Sequence, residues 1–136
     1  MYFAYGEREI SYLRQKDQRL CEVIDRIGHI DREVDTDLFS SVIHHIIGQQ
    51  ISTKVQATIW LRMQEALGKV NAETILSAGA PKLQSLGMTF RKAEYIRDFA
   101  QKVCSGACNL EAVWHMTDAD AIRALCTLKG IGVWTA

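Results

Sequence analysis

The sequence lacks several features that would assign it to a special class of protein. It has a single proline, no run of eighteen apolar residues and no excess of either charge. The short hydrophobic runs predict that nothing spans a membrane. Sixteen basic residues balance sixteen acidic ones, so no overall field attracts a polyanion. Any nucleic-acid site must therefore be local, built from backbone amides and a few placed cations.

The composition that remains is that of an ordinary globular domain. Apolar residues make up 48% of the chain and charged residues 24%, which argues against a disordered or fibrous protein. Charged residues follow the first few positions at once, beginning with Glu7 and Arg8, so we expect no secretory signal. The four cysteines are then predicted to be reduced thiols of a cytoplasmic protein. No Glu-x-x-His spacing accompanies the histidines, and neither a zinc site nor a cofactor is predicted.

Hydrophobic periodicity indicates helices from end to end. Apolar residues recur at helical spacing, and no stretch alternates long enough to require a strand. Residues typical of helix N-caps precede the periodic segments, namely Asp17, Asp37, Ser52, Asn71, Thr89 and Thr117. Glycines that typically end helices follow several of them, namely Gly28, Gly68, Gly79 and Gly106. The sequence therefore predicts an all-α, multi-helix globule with a single domain over residues 1–136.

The final nine residues read Leu-Lys-Gly-Ile-Gly-Val-Trp-Thr-Ala, over Leu128–Ala136. Gly130 and Gly132 carry no Cβ and can adopt positive φ, so a phosphate could approach the main chain closely. A helix that begins near Val133 would add its N-terminal amides and its dipole, and Lys129 would supply a cation. On spacing alone, a plain structural turn and a phosphate-binding turn are equally good interpretations.

Three segments together resemble one known family. Leu128–Ala136 is similar to the hairpin of the helix-hairpin-helix DNA glycosylase superfamily, in its DNA-3-methyladenine (alkylpurine) branch. Ile47–Ser52 (Ile-Gly-Gln-Gln-Ile-Ser) resembles a turn of that branch between two helices, and Leu86–Ile96 resembles its Gly-Met-Ser/Thr segment leading into a Lys-Ala-x-x-Ile helix. The three occur in the family's order and cover roughly residues 17–136. The resemblance implies the glycosylase fold, with its helix-hairpin-helix motif at residues 118–136.

The resemblance also implies roles for residues of the hairpin. The amides of Gly130, Ile131 and Gly132 would hold a DNA phosphate beside the target nucleotide, with Lys129 and Thr135 also at the DNA. Hairpins of this family often bind a monovalent cation through main-chain carbonyls, which would here belong to Cys126, Leu128 and Ile131.

The second segment would act on the base stack. Gln50 matches the residue that enters the stack when the damaged nucleotide is turned out of the duplex, and Gln49 would support it. Extrusion is needed because an enzyme cannot reach a glycosidic bond inside stacked DNA. Without the resemblance, both glutamines would be interpreted as an ordinary polar helix end.

Trp134 bears on the type of reaction. Branches that also cut the DNA strand have a lysine at this position, whose amine forms a Schiff base with the sugar. Trp134 therefore implies a monofunctional glycosylase with water as the nucleophile, and its indole would suit a cationic alkylated purine in the base pocket. The plain alternative is a core tryptophan that closes the hairpin against the helices.

One catalytic group is missing from the predicted site. In the family, an aspartate after the second hairpin helix stabilises the oxocarbenium-like sugar and orients the attacking water. The sequence stops at Ala136, before that position, and none of its acids matches the aspartate. We therefore expect the N-terminal part of a base-excision repair glycosylase. The complete enzyme would act on double-stranded DNA that carries alkylated purines such as 3-methyladenine, whereas this chain alone would be inactive.

Two other functional classes remain open from the sequence. A non-catalytic helix-hairpin-helix module would bind undamaged duplex with no preference for lesions, although such a module has no use for Gln50. A helical interaction protein, in which every glycine only ends a helix, would bind no nucleic acid, and the balanced charge supports it. An iron–sulfur glycosylase is disfavoured by Trp134.

Overall fold

The computed structural model describes all 136 residues and contains eight α-helices and no named strand. The helices are α1 (Glu7–Lys16), α2 (Gln18–Ile27), α3 (Leu38–Gly48), α4 (Thr53–Leu67), α5 (Ala72–Ser85), α6 (Phe90–Cys104), α7 (Leu110–Trp114) and α8 (Asp118–Leu125). The prediction of an all-α fold is confirmed. None of these helices combines the length and the apolar character that crossing a bilayer requires.

Side-chain caps explain where most helices begin. Each predicted N-cap residue accepts a hydrogen bond from a backbone amide of the first turn: Asp17, Asp37, Ser52, Asn71, Thr89 and Thr117. These bonds satisfy amides that have no partner within the helix. Gly79 has φ 74° and kinks α5 just before Pro81, which agrees with the predicted break at this glycine.

The chain divides into two compact units, Met1–Thr36 and Asp37–Ala136. In the first unit, α1 and α2 form a helical hairpin in which Arg14 Nη2 donates to Asp25 Oδ1 at 2.6 Å. The Tyr5 hydroxyl donates to the Ile30 carbonyl oxygen at 2.8 Å and accepts from the Ile30 amide at 2.7 Å. The single domain over residues 1–136 stays a prediction.

The second unit holds the hydrophobic core. As predicted, the helix after Asp37 is a central buried element, with Val42, Ile43, Ile46 and Ile47 nearly inaccessible. Helix α6 packs against both α3 and α5, and the rings of Phe39 and Phe99 stack 5.1 Å apart. Burial of these apolar side chains is the main force that fixes the ends of α3 and α6 beside each other.

Candidate nucleic-acid interface

The segment after α8 forms a hairpin that is anchored from inside. Leu125, Leu128 and Ile131 are buried in the core. The Leu128 amide donates to the Leu125 carbonyl oxygen at 3.0 Å, and the Ile131 amide donates to that of Leu128 at 3.2 Å. Of the three hairpin amides assigned to a phosphate, that of Ile131 is therefore engaged within the turn, where its buried side chain serves as an anchor.

The outer side of the hairpin presents free amides. After Gly132 the chain enters one helical turn, in which the amides of Thr135 and Ala136 donate to the Gly132 carbonyl oxygen at 2.9 and 3.0 Å. The amides of Gly130, Gly132, Val133 and Trp134 donate to no group of the chain, and these residues are exposed. Unpaired amides at the start of a helical turn attract anions through hydrogen bonding and the local dipole.

The two glycines of the hairpin differ in their constraints. Gly130 has φ 81°, and a Cβ at this position would overlap the ring of Tyr95. Gly132 has no positive φ, and a Cβ there would meet no atom within 4 Å. Gly130 is therefore required for the fold of the turn, whereas the space beside Gly132 is open to a ligand.

The turn between α3 and α4 lies against this hairpin. Gln49 Nε2 donates to the Gly130 carbonyl oxygen at 2.7 Å, across 81 positions of sequence. The next residue, Gln50, is exposed and has φ 59°, the only positive φ outside glycine. Such strained backbone persists only where the surroundings enforce it, and it clusters at functional sites. The structure thus brings together the two segments that were predicted separately.

Lys92 is a residue of this site for which the sequence predicted no role. Its Nζ donates to the carbonyl oxygens of Ile47 at 2.8 Å and Gln49 at 2.6 Å. The side chain is half-buried, and desolvation by burial lowers the pKa of the Lys92 ammonium. The Lys-Ala-x-x-Ile pattern marked the segment, but no local pattern shows that a side chain at the start of α6 reaches the end of α3.

Lys129 lies beside the hairpin, and its ammonium is paired with a carboxylate. Its Nζ lies 3.1 Å from Asp98 Oδ1, and Lys102 Nζ lies 3.0 Å from Asp98 Oδ2. Burial raises the pKa of the Asp98 carboxyl, but hydrogen bonds and attraction from the two ammonium groups outweigh it and hold this pKa below its ordinary value. Asp98 therefore stays ionised and partly cancels the Lys129 charge.

This ion pair leads to a prediction about DNA affinity. Replacing Asp98 with asparagine should release the Lys129 charge and increase affinity for duplex DNA about threefold. The slope of the logarithm of the binding constant against that of the salt concentration should become steeper by about one, because about one more counterion is released. Lys129→Met in the wild-type background should change affinity less than about twofold. Fluorescence anisotropy titrations at several salt concentrations would measure both. A large loss in Lys129→Met, with no change in Asp98→Asn, would mean that Lys129 leaves Asp98 to contact phosphate.

The remaining predicted hairpin residues take different positions. The side chain of Trp134 is 100% exposed, so it does not pack in the core of these 136 residues. Its place in a base pocket stays a prediction. Thr135 is half-buried next to it.

The carbonyls assigned to a monovalent cation belong to one turn. Cys126 caps the end of α8, and Leu128 and Ile131 follow within the hairpin. The Leu128 oxygen already accepts the Ile131 amide, but a carbonyl oxygen has a second lone pair. Main-chain oxygens are suitable ligands for a hard cation. The main-chain oxygens of these three residues are thus ligands of the right kind for a monovalent cation, whose binding stays a prediction.

Comparison with known proteins identifies a family that this chain matches. Residues 43–134 match the family model described as "HhH-GPD superfamily base excision DNA repair protein". A curated DNA-3-methyladenine glycosylase of Bacillus subtilis (strain 168) is 30% identical over 112 residues, which cover 74% of this chain and 37% of the relative. The chain thus spans only 37–38% of the length of the curated relatives it matches.

Solved structures show the same fold. A DNA-3-methyladenine glycosidase from Bacillus halodurans superposes with a TM-score of 0.81 at 28% identity, over 99% of this chain and 63% of that one. The 3-methyladenine DNA glycosylase Mag1 of Schizosaccharomyces pombe, in complex with abasic DNA, superposes with a TM-score of 0.79 at 20% identity, over 94% and 66%. The family match covers more than half of the sequence and includes both the Gln50 turn and the hairpin. This chain belongs to the HhH-GPD superfamily of base excision DNA repair proteins.

Proposed function

We propose that the chain forms the DNA-binding part of a monofunctional DNA-3-methyladenine glycosylase that hydrolyses the N-glycosidic bond of alkylated purines in double-stranded DNA. The observation that carries this proposal is the bond from Gln49 Nε2 to the Gly130 carbonyl oxygen, which joins the free-amide hairpin to the strained Gln50 turn. The similar proteins named as 3-methyladenine glycosylases support the choice of substrate. We also propose a cytoplasmic location, which suits four free cysteines.

The hairpin supplies the contact with the DNA backbone. The amides of Gly130, Gly132, Val133 and Trp134 are unpaired and belong to exposed residues, which makes them available to phosphate oxygens. Amides bind phosphate without adding a net charge, which explains how a chain with no excess of basic residues can bind DNA. Phosphate contacts fix the register of the protein on the duplex but carry no sequence information.

Gln50 is the residue placed to act on the base stack. It is exposed at the tip of the turn, and its amide side chain can both donate to and accept from an unpaired base. Hydrogen bonds to the orphaned partner would offset part of the few kcal/mol that unstacking costs. The turn and the hairpin are bonded to each other, so a phosphate held by one fixes where the other meets the duplex.

The nucleophile follows from the residue at position 134. Branches of the superfamily that form a Schiff base with the sugar have a lysine where this chain has Trp134, which supports water as the nucleophile. The exposed ring is available to stack on a cationic purine, a contact worth about 1–2 kcal/mol. A carbonyl-bound monovalent cation at Cys126, Leu128 and Ile131 would supply positive charge next to the phosphate.

Base release also requires a carboxylate near the sugar. The acid bonded to the hairpin, Asp98, is already held by Lys102 and Lys129 and so cannot stabilise a developing oxocarbenium ion. We expect the 136-residue chain to bind a duplex that contains an abasic-site analogue about tenfold more tightly than undamaged duplex. We expect it to release no base from methylated duplex beyond the spontaneous rate.

The experiment combines anisotropy titrations on both duplexes with an assay of released methylated purines. Equal affinity for damaged and undamaged duplex would favour a non-catalytic binding module over a glycosylase. No binding at low salt would contradict the proposal as a whole. Enzymatic release of base by these residues would show that an acid of this chain stabilises the developing oxocarbenium ion.

A further inference from the structure

The side chain of Lys92 closes the end of α3. The carbonyls of the last turn of a helix have no partner within the helix and need donors from elsewhere. Lys92 Nζ donates to Ile47 in this turn and to Gln49 just after it. A positive charge at a helix C-terminus is also favoured by the helix dipole. From the first turn of α6, the Lys92 ammonium thus supplies hydrogen-bond donors to carbonyl oxygens at the end of α3.

The bond to Gln49 has a direct consequence for Gln50. The Gln49 carbonyl oxygen and the Gln50 amide nitrogen belong to the same planar peptide group. Holding that oxygen at 2.6 Å from the ammonium therefore fixes the plane from which Gln50 departs at φ 59°. A positive φ at a residue other than glycine is unfavourable, so the turn needs such an external restraint.

The same residue continues the connection to the hairpin. Gln49 accepts from Lys92 with its main chain and donates with its side chain to the Gly130 carbonyl oxygen at 2.7 Å. These bonds form one bridge, defined as Lys92–Gln49–Gly130. It joins the start of α6, the tip that carries Gln50 and the phosphate-facing hairpin, which are far apart in sequence.

We propose that Lys92 is a positioning residue, which holds Gln50 in register with the hairpin so that phosphate capture and insertion into the base stack occur in one rigid frame. This role rests on the proposed function. Loss of the bridge leaves the hairpin amides able to bind phosphate, but Gln50 then samples other conformations. Binding to undamaged duplex should persist while the preference for a disrupted base stack is lost.

The test compares Lys92→Met, which removes the donors, with Lys92→Arg, which keeps a charged donor. Gln56→Met is the matched control, because Gln56 Nε2 also donates to a carbonyl of α3, that of His44 at 2.7 Å, and its side chain packs against Gly48 without a hydrogen bond to Gln49 or Gln50. The probes are an undamaged duplex and one with an abasic-site analogue next to 2-aminopurine, whose fluorescence rises on unstacking. Thermal melting of all variants measures the structural cost.

Lys92→Met should lose about tenfold in preference for the abasic duplex and most of the 2-aminopurine signal at saturation. Its affinity for undamaged duplex should change less than about twofold. Lys92→Arg should restore both readouts, and Gln56→Met should retain them even if its melting temperature falls equally. A full signal in Lys92→Met, or an equal loss in Gln56→Met, would overturn the positioning role.

The same experiment also distinguishes failure of the proposed function from failure of the Lys92→Met variant to fold. If wild-type protein shows neither lesion preference nor unstacking, the proposed function fails, and the positioning role fails with it. If Lys92→Met does not fold, Gln49→Met tests the other bond of the bridge, since it keeps the main-chain acceptor and removes the link to Gly130. Unchanged lesion preference in Gln49→Met would then overturn the positioning role.

Discussion

Replacement of Gly132 by valine is expected to lower affinity for duplex DNA by about 10- to 100-fold. A loss of this size corresponds to one or two charge-assisted hydrogen bonds. The Gly132 amide is unpaired, and the Cβ would occupy open space on the exposed side of the hairpin. A branched side chain there would keep a phosphate from reaching the amides. The melting temperature should stay nearly unchanged, because Gly132 has no positive φ and a Cβ there would meet no atom within 4 Å.

The control for this prediction is Gly6→Val. Gly6 also lacks a positive φ and has no atom within 4 Å of a Cβ, but it precedes α1 and lies outside the hairpin. Anisotropy titrations of both variants against one duplex separate a local effect from a general cost of added bulk. Equal affinities for wild type and Gly132→Val would contradict phosphate binding at these amides.

The open space at Gly132 and the crowding at Gly130 could not be distinguished from sequence. Both glycines belong to one Gly-x-Gly motif, and the motif predicts a tight turn without saying which neighbour packs on it. That information resides in Tyr95, which lies 35 positions earlier and reaches the turn only through the packing of α6. Long-range packing of this kind leaves no local signal in a single sequence.

The helix starts were predictable for the opposite reason. A cap such as Asp37 or Ser52 bonds to amides two or three residues ahead, so its effect is complete within one turn. Two helices escaped prediction: α1, which begins at Glu7 after an N-cap glycine that has no side chain to bond, and α7, which has only five residues. Short or weakly capped segments depend more on tertiary contacts than on their own pattern.

The electrostatics of the site were predicted only in part. Lys129 stood next to the glycines in sequence, which suggested a cation for the phosphate. Its partner Asp98 is on α6. Helical i, i+4 spacing predicts the ion pair of Asp98 with Lys102 but not its ion pair with Lys129. Lys92 shows the reverse case, since an apparently ordinary helix lysine binds the end of α3. The family resemblance identified the segments of the site, but the hydrogen bonds and ion pairs between them are visible only in the folded structure.

The second large effect concerns stability. Gly130→Ala is expected to lower the free energy of unfolding by about 3 kcal/mol and the melting temperature by about 10 °C. An alanine would be forced into φ 81°, and its Cβ would overlap the ring of Tyr95. Gly132→Ala, the same chemical change two residues later, should cost less than about 0.5 kcal/mol because its Cβ has room.

The two causes at Gly130 can be separated by a double-mutant cycle. Tyr95→Leu removes the ring that an added Cβ would meet, so Gly130→Ala in that background should recover the steric part of the loss and keep the part due to backbone conformation. Urea unfolding of the four proteins gives the coupling. Strict additivity would mean that Tyr95 moves aside freely and that the left-handed backbone alone requires glycine. A coupling of about 1 kcal/mol or more would show that the Tyr95 ring packs on Gly130 and leaves no room for a Cβ.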